Sequence, residues 1–349
     1  MKKIITSLLI FLLLALPLGG CVLRGQYKKY TSTIFATFDT VIQITAYAKS
    51  EQEFDSYFQM AAARFKQLHK LYDIYHDYEG INNIKTINDN AGIRPVPVEQ
   101  EIIALLAFSQ EWCQRTGGKT NIALGPVLRI WHNYRSAAIA NPAEARLPTQ
   151  GALVEASLHT DINKVVLDKA RGTVFLEEED MALDVGAVAK GFAVELVARE
   201  LSAAGLKAGV INAGGNVRSL GIPPDGRETW TIGLEDPRGE RKILTSLNVG
   251  ETAVVTSSGQ QRHYQVDGVH FHHIIDPATL WPATYHQAVT VVTPDSGLAD
   301  FLSTALFILP YEEGLELVEK LKDVEAIWIT PAGEIKFTAG LEGQLKGTG

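Results

Sequence analysis

The sequence predicts an α+β fold: one large domain, or two intimate ones, of roughly 320 residues behind a short N-terminal leader. Three observations predict it. Segments of strand character and segments of helical spacing are interspersed without regular strand–helix–strand alternation. A hydrophobic content of 46% is ordinary for a globular chain and sufficient for a sizeable core. No internal repeat or low-complexity tract breaks the pattern.

The leader comes first. Lys2 and Lys3 form a basic patch, and residues 4–17 form an apolar run. That run is shorter than the roughly 20 residues of a membrane-spanning helix, so it reads as a secretory signal. Leu18-Gly-Gly-Cys21 fits a bacterial lipobox, in which small residues suit a signal peptidase and the Cys21 thiol carries lipid. The expected division is residues 1–20 as signal peptide, 21–32 as lipidated cysteine and polar tether, 33–335 as folded domain and 336–349 as tail. Such a protein is extracytoplasmic, on the periplasmic side in a Gram-negative cell, and held to the lipid bilayer through Cys21. The alternative is a plain secretory signal or unprocessed anchor with Cys21 incidental. With Cys21 lipidated, Cys113 has no intrachain partner, and no zinc-type cysteine spacing exists. A net charge of −8 with no basic block argues against a nucleic-acid partner.

Within the domain, residues 33–48 are rich in β-branched and aromatic side chains and predict a strand. Apolar residues at helical spacing (Phe54, Phe58, Ala61, Phe65, Leu68, Leu71) predict a helix over 52–75. A second helix is expected over 97–116, with Pro97 at its first position and Gly117-Gly118 closing it. Residues 136–151, rich in alanine and proline, read as a surface loop. A hairpin follows, 165–167 with 173–176, turning at Arg171-Gly172. Then come a helix over 187–204 and a buried strand over 208–211 that runs into Asn212-Ala-Gly-Gly-Asn216. Strands are expected at 230–234, 253–257, 270–275 and 288–292, a helix at 298–309 stopped by Pro310, a helix at 313–321 and a strand at 326–330.

Four stretches carry chemistry. Met181 to Ala193 places Asp184, the backbone near Ala187 and Lys190 at the start of a helix, where small residues and the helix dipole favour an anionic ligand. In Leu298 to Leu306, Asp300 and Thr304 stand four apart and share a helix face. A carboxylate and a hydroxyl are hard oxygen ligands, suited to magnesium rather than zinc. His270-Phe-His-His-Ile-Ile-Asp276 brings histidines close to an aspartate, the material of general acid–base catalysis. In a strand His270 and His272 would face one way and His273 the other. Asn212 to Asn216 has paired glycines but matches neither the dinucleotide fingerprint nor the P-loop, and reads as a tight turn at the rim of a site. Each stretch alone has an ordinary structural explanation, such as a turn, a capped helix or a core histidine.

Together these stretches resemble the ApbE family of FAD:protein FMN transferases over about residues 35–330. The motifs, in order, are Phe38-Asp-Thr40, Tyr75, Leu124 to Trp131, Leu183 to Gly191, Ile211 to Asn216, Thr256 to Gly259, His273 to Pro277 and Ala299 to Ala305. Phe38 replaces the family's usual methionine, Thr120-Asn-Ile122 replaces a Phe-Asp-Val-like run, and Leu280-Trp-Pro282 replaces Gly-Tyr-Pro, which puts the loop conformation after Asp276 in question.

The resemblance implies a mixed-sheet, T-fold-related domain with flanking helices. It also implies transfer of FMN from FAD to a serine or threonine hydroxyl of a target flavoprotein, with release of AMP. Asp300, Thr304 and the Ala187 carbonyl would hold Mg²⁺. Phe38, Tyr75, Lys119, Thr120, Asn121, Asp184, Lys190 and Ile275 would bind FAD. His273 would be the base, with Asp276 orienting its loop. The expected partner is a membrane respiratory redox subunit. A Mg²⁺-dependent FAD pyrophosphatase and a non-catalytic flavin-binding lipoprotein are the alternatives.

Overall fold

The computed structural model describes residues 26–260 and 262–346. The segment expected as signal peptide, and Cys21, lie outside the described residues. Strands β1 (Lys28–Thr37) and β2 (Thr40–Ala48) form an antiparallel hairpin where the sequence predicts one strand. Phe38 and Asp39 both adopt positive φ, 56° and 51°, the backbone of a two-residue hairpin turn made here without glycine or asparagine. Pairing starts at Lys28, so residues 28–32, expected as tether, are strand.

Helix α1 (Glu51–Tyr72) is capped by Ser50 and buries the predicted stripe from Phe54 to Leu71, with Phe58 partly buried. It ends three residues early, because Asp73 turns to extended backbone and Tyr75 lies beyond. Helix α2 (Ile84–Asp89), with a capping box at Asn83, is too short to announce itself by periodicity. Pro97 does not start a helix: it belongs to β3 (Val96–Pro97), paired with Thr173, and α3 (Gln100–Arg115) begins three residues later. The expected loop at 136–151 is partly helical, at the end of α4 (Gly125–Ala140) and the start of α5 (Gln150–Ser157). The hairpin β4 (Val165–Asp168) and β5 (Thr173–Leu176) is as predicted, and β3 extends it into a small sheet.

Next come α6 (Ala189–Ala203), β6 (Gly209–Ala213), β7 (Asn216–Leu220), β8 (Trp230–Glu235), β9 (Ile243–Val249), β10 (Ala253–Ser258), β11 (His263–Val266) and β12 (Val269–His272). The chain ends with β13 (Ala288–Thr293), α7 (Ser296–Ile308), α8 (Tyr311–Glu319), β14 (Glu325–Ile329), β15 (Ile335–Phe337) and β16 (Leu345–Lys346). Eight strands form one sheet in the order β1-β2-β6-β7-β10-β13-β14-β15. The α+β architecture with flanking helices is the predicted one; the large sheet is antiparallel throughout rather than mixed in direction. The expected tail at 336–349 contributes β15 and β16, which pair with β14 and β9.

One face of the sheet packs on α1, α6 and α7 through the largest apolar cluster. Its other face is covered by the sheet β16-β9-β8, with Trp230, Leu247 and Ile327 between them. A third cluster around Trp131 joins α4 to the β11–β12 hairpin. These arrangements bring the starts of α6 and α7, the segment 119–122 and the loop after β12 into one region.

Candidate active site

The α6–α7 contact fixes the acidic residue. Asp300 is 5% exposed and is the only charged residue of its helix. A carboxylate there needs compensation. Its Oδ2 accepts the Gly191 N–H at 2.8 Å, and its Oδ1 faces Lys190 Nζ at 3.6 Å. Only glycine permits this approach, since a Cβ on Gly191 would stand 2.5 Å from the Asp300 Cβ. Thr304, one turn on, has its hydroxyl 3.5 Å from the Asp300 carbonyl and 3.4 Å from the Ser257 hydroxyl. Ala187 lies in the turn that leads into α6. The side-chain donors here are a carboxylate and a hydroxyl, both hard oxygen, and with a main-chain carbonyl from the Ala187 turn such a set would fit Mg²⁺. Among the described residues, no three His, Cys, Asp or Glu side chains cluster as a softer-metal site would require.

Asp184 is held from two sides. Its N–H donates to the Ile122 carbonyl at 2.8 Å, and its Oδ1 accepts the Gly186 N–H at 2.9 Å. Asn88 of α2 pairs with both main-chain groups of Leu183, which anchors the approach to Asp184. Burial raises the Asp184 carboxyl above its ordinary value, opposed by the Gly186 N–H and by the nearby Arg262, His132 and Arg135 side chains. Tyr75 stacks 5.3 Å from the His132 ring, and Arg135 Nη2 is 3.2 Å from His132 Nδ1. Tyr75 is half exposed; partial desolvation, with Asp184 nearby, pushes its hydroxyl up to about 12, so it remains a neutral donor. Phe38, in the β1–β2 turn, packs edge-on to His69 and near Tyr72.

The two adjacent histidines differ in what their rings do. Both ring nitrogens of His272 are engaged, with the Ala283 carbonyl at 2.8 Å and the Ile274 N–H at 3.2 Å. His273 Nδ1 is buried and has no partner among the described residues. Burial and the charges of Arg262, His272 and Arg135 push it down to about 3, so its ring is neutral at neutral pH. Asp276 is buried, accepts the Ala278 N–H at 2.9 Å and lies 3.9 Å from Lys119 Nζ. Leu280, where the resembling family has glycine, keeps a left-handed backbone with φ 66°. Its side chain is buried beside Trp131, whose Nε1 donates to the Leu280 carbonyl at 2.9 Å. This left-handed backbone costs about 1–2 kcal/mol of strain, offset by burial of the Leu280 side chain.

Three of the residues expected to line the pocket have side chains engaged within the protein. Thr120 is 3% exposed and donates to the Phe301 carbonyl at 3.3 Å. Asn121 donates to the Thr160 carbonyl and accepts the Ala123 N–H. The Ile275 side chain is buried in the Trp131 cluster, and its backbone bridges to Pro282. What these positions offer a ligand is main chain. Conversely, His132, Arg135 and Arg262 join the site without having been expected. His132 and Arg135 stand three apart, a spacing visible had residues 125–140 been recognised as helical throughout.

An oxygen-donor pair, a lysine, a neutral histidine and a basic cluster at one end of an antiparallel sheet define a site of the kind that handles phosphate esters. The ApbE family model matches residues 38–328, and the chain belongs to that family. An FAD:protein FMN transferase of Treponema pallidum (strain Nichols) is 30% identical over 350 residues, covering 94% of this chain and 92% of the relative. One from Klebsiella pneumoniae (strain 342) is 31% identical, covering 80% and 85%. The ApbE protein of Thermotoga maritima superposes with a TM-score of 0.79 at 25% identity, over 91% of this chain and 99% of that one. The Pseudomonas stutzeri flavinyl transferase ApbE, in its apo form, shares the fold with a TM-score of 0.75 at 24% identity, over 91% of this chain and 97% of that one.

Proposed function

We propose that this protein is an FAD:protein FMN transferase, attaching FMN to a serine or threonine hydroxyl of a target flavoprotein and releasing AMP. The observation that carries the reading is the meeting of Asp300, Thr304, Lys190 and Gly191 at the α6–α7 contact, in a chain whose relatives bear that activity. Asp300, Thr304 and the Ala187 carbonyl would hold Mg²⁺, which supplies charge neutralisation to the pyrophosphate of FAD.

The chain's own groups do the rest. Lys190 adds positive charge beside the pyrophosphate. Asp184 accepts hydrogen bonds from FAD, while Phe38 and Tyr75 contact its rings. Main chain at 119–121 and at Ile275 lines the pocket. The acceptor oxygen attacks the FMN phosphorus, the P–O bond to the AMP phosphate breaks, and AMP leaves with that oxygen. The hydroxyl proton would pass to the His273 ring, which is neutral at neutral pH and so able to accept it. Lys119 and Asp276 hold the loop that carries His273.

A lipid anchor at Cys21, a periplasmic position and a membrane respiratory acceptor complete the proposal. The lipobox and the polar stretch after it support them. Cys21→Ser should move the protein from the membrane fraction to the soluble one; unchanged membrane association would overturn the anchor.

The test of activity uses the protein from Val22 onward, FAD, Mg²⁺ and an acceptor with one reactive threonine. A fluorescent acceptor band after denaturing electrophoresis is expected, and EDTA should remove it. AMP with free FMN and no band would instead identify a pyrophosphatase. Retained FAD with no AMP would identify a binding protein.

A further inference from the structure

Asn216 has no exposure, and neither its Oδ1 nor its Nδ2 has a partner among the described residues. Buried amides are normally paired, so a fully buried amide with both ends open points to a ligand or an ordered water. It opens β7, at the end of the Asn212 to Asn216 turn, a motif that the proposed chemistry does not use.

Where its side chain points follows from its neighbours. Arg218, two residues on and therefore on the same face, reaches Glu195 of α6 at 3.0 Å. The chain returns along β6 after α6 and reverses into β7, so β7 runs in the direction of α6. Two strand residues back from Arg218 is a step of about 6.6 Å, close to the roughly 6 Å of four helical residues. That step leads from Glu195 to Gly191, the residue whose N–H holds Asp300. On its other flank Asn216 pairs with Val255 of β10. Two residues further along β10, on the same face, Ser257 contacts Ser303 at 2.7 Å and Thr304 at 3.4 Å.

We infer that Asn216 is a positioning residue of the cation site, its amide holding a cation-bound water between Asp300 and Thr304. The inference rests on the functional reading above. An amide suits the task because it offers a donor and an acceptor without adding charge, and outer-shell partners of this kind govern metal affinity.

The experiment titrates Mg²⁺ into the protein with FAD, reading FAD fluorescence, and separately measures the Tm in EDTA without FAD. Asn216→Ala should raise the half-saturating Mg²⁺ concentration about 10–100-fold and leave FAD binding in EDTA unchanged. Asn216→Asp, which places a charged oxygen where the amide stood, should lower the half-saturating Mg²⁺ concentration below that of the wild type. An unchanged Mg²⁺ midpoint in Asn216→Ala, or a lowered Tm in EDTA as the sole effect of both variants, would overturn the inference. If Asn216→Ala does not fold, Asn216→Asp decides alone: tighter Mg²⁺ supports it and an unaltered midpoint refutes it. Wild-type transfer that ignores EDTA would instead refute the cation site itself.

Discussion

Replacing Gly191 by alanine adds one methyl group where α6 and α7 come closest. Elsewhere in a helix that change stabilises by about 1 kcal/mol. Here the new Cβ would stand 2.5 Å from the Asp300 Cβ, 3.1 Å from its Oδ2 and closer still to the Ser296 carbonyl oxygen. Two of these neighbours are a main-chain oxygen and a Cβ, which no rotamer change can move. The helices must therefore separate by about 1 Å, an overpacking that costs roughly 1–3 kcal/mol. Separation also breaks the hydrogen bond from the Gly191 N–H to the carboxylate, worth about 1.5–3 kcal/mol. Less the helix-propensity gain, the net loss is about 2–5 kcal/mol. Urea unfolding of Gly191→Ala should show it, and Mg²⁺-dependent FAD binding should weaken because Asp300 is displaced. Gly151→Ala in α5, where nothing lies within 4 Å of the added Cβ, is the control and should be neutral or stabilising. A Gly191→Ala protein as stable as its parent, with unaltered FAD binding, would refute the close contact and the placement of Asp300.

Three further outcomes are expected. Thr120→Val should lower stability by about 1 kcal/mol, the value of one hydrogen bond, yet change FAD affinity less than about twofold (~0.4 kcal/mol); a large loss of affinity in a binding titration would return the Thr120 side chain to the pocket. Leu280→Gly should relieve about 1–2 kcal/mol of strain but lose about 2–5 kcal/mol of packing beside Trp131. Denaturation should therefore show a net loss, and a gain would mean that the side chain is not packed there. His273, held near 3 in the fold against an ordinary 6.5, takes its proton in the unfolded chain first as pH falls. Its contribution to stability is therefore lost between about pH 6.5 and pH 3 and is level above that window. His273→Gln should flatten this stretch of the stability curve, while His272 and His286 titrate in both proteins. Curves that stay parallel would contradict the buried, neutral ring.

The long periodic elements were legible in the sequence. Helix α1 shows its stripe over six turns, α6 and α7 end at Gly205 and near Pro310, and β4–β5 turn at a glycine. What stayed hidden depended on local backbone choices or on distant partners. Phe38 and Asp39 reverse the chain at positive φ without the residues that usually announce it. Pro97 obeys the rule for a helix start and for a strand edge equally, and pairing with Thr173 decides between them. The Asp300–Thr304 pair was readable because it lies on one helix. That Lys119 meets Asp276, that Thr120 serves the Phe301 carbonyl, and that His273 rather than His272 has an unpartnered nitrogen all depend on contacts across the fold.

In the proposed function, the Asp300 site drives FMN onto protein rather than into solution. The most direct measurement compares AMP released with FMN attached, by chromatography of the nucleotide and intact mass of the acceptor, for the wild type and for Asp300→Ala. One AMP per FMN attached, with neither product from Asp300→Ala although that variant remains folded, is the expected result. AMP in large excess over attached FMN, or full transfer by Asp300→Ala with Mg²⁺ present, would contradict it.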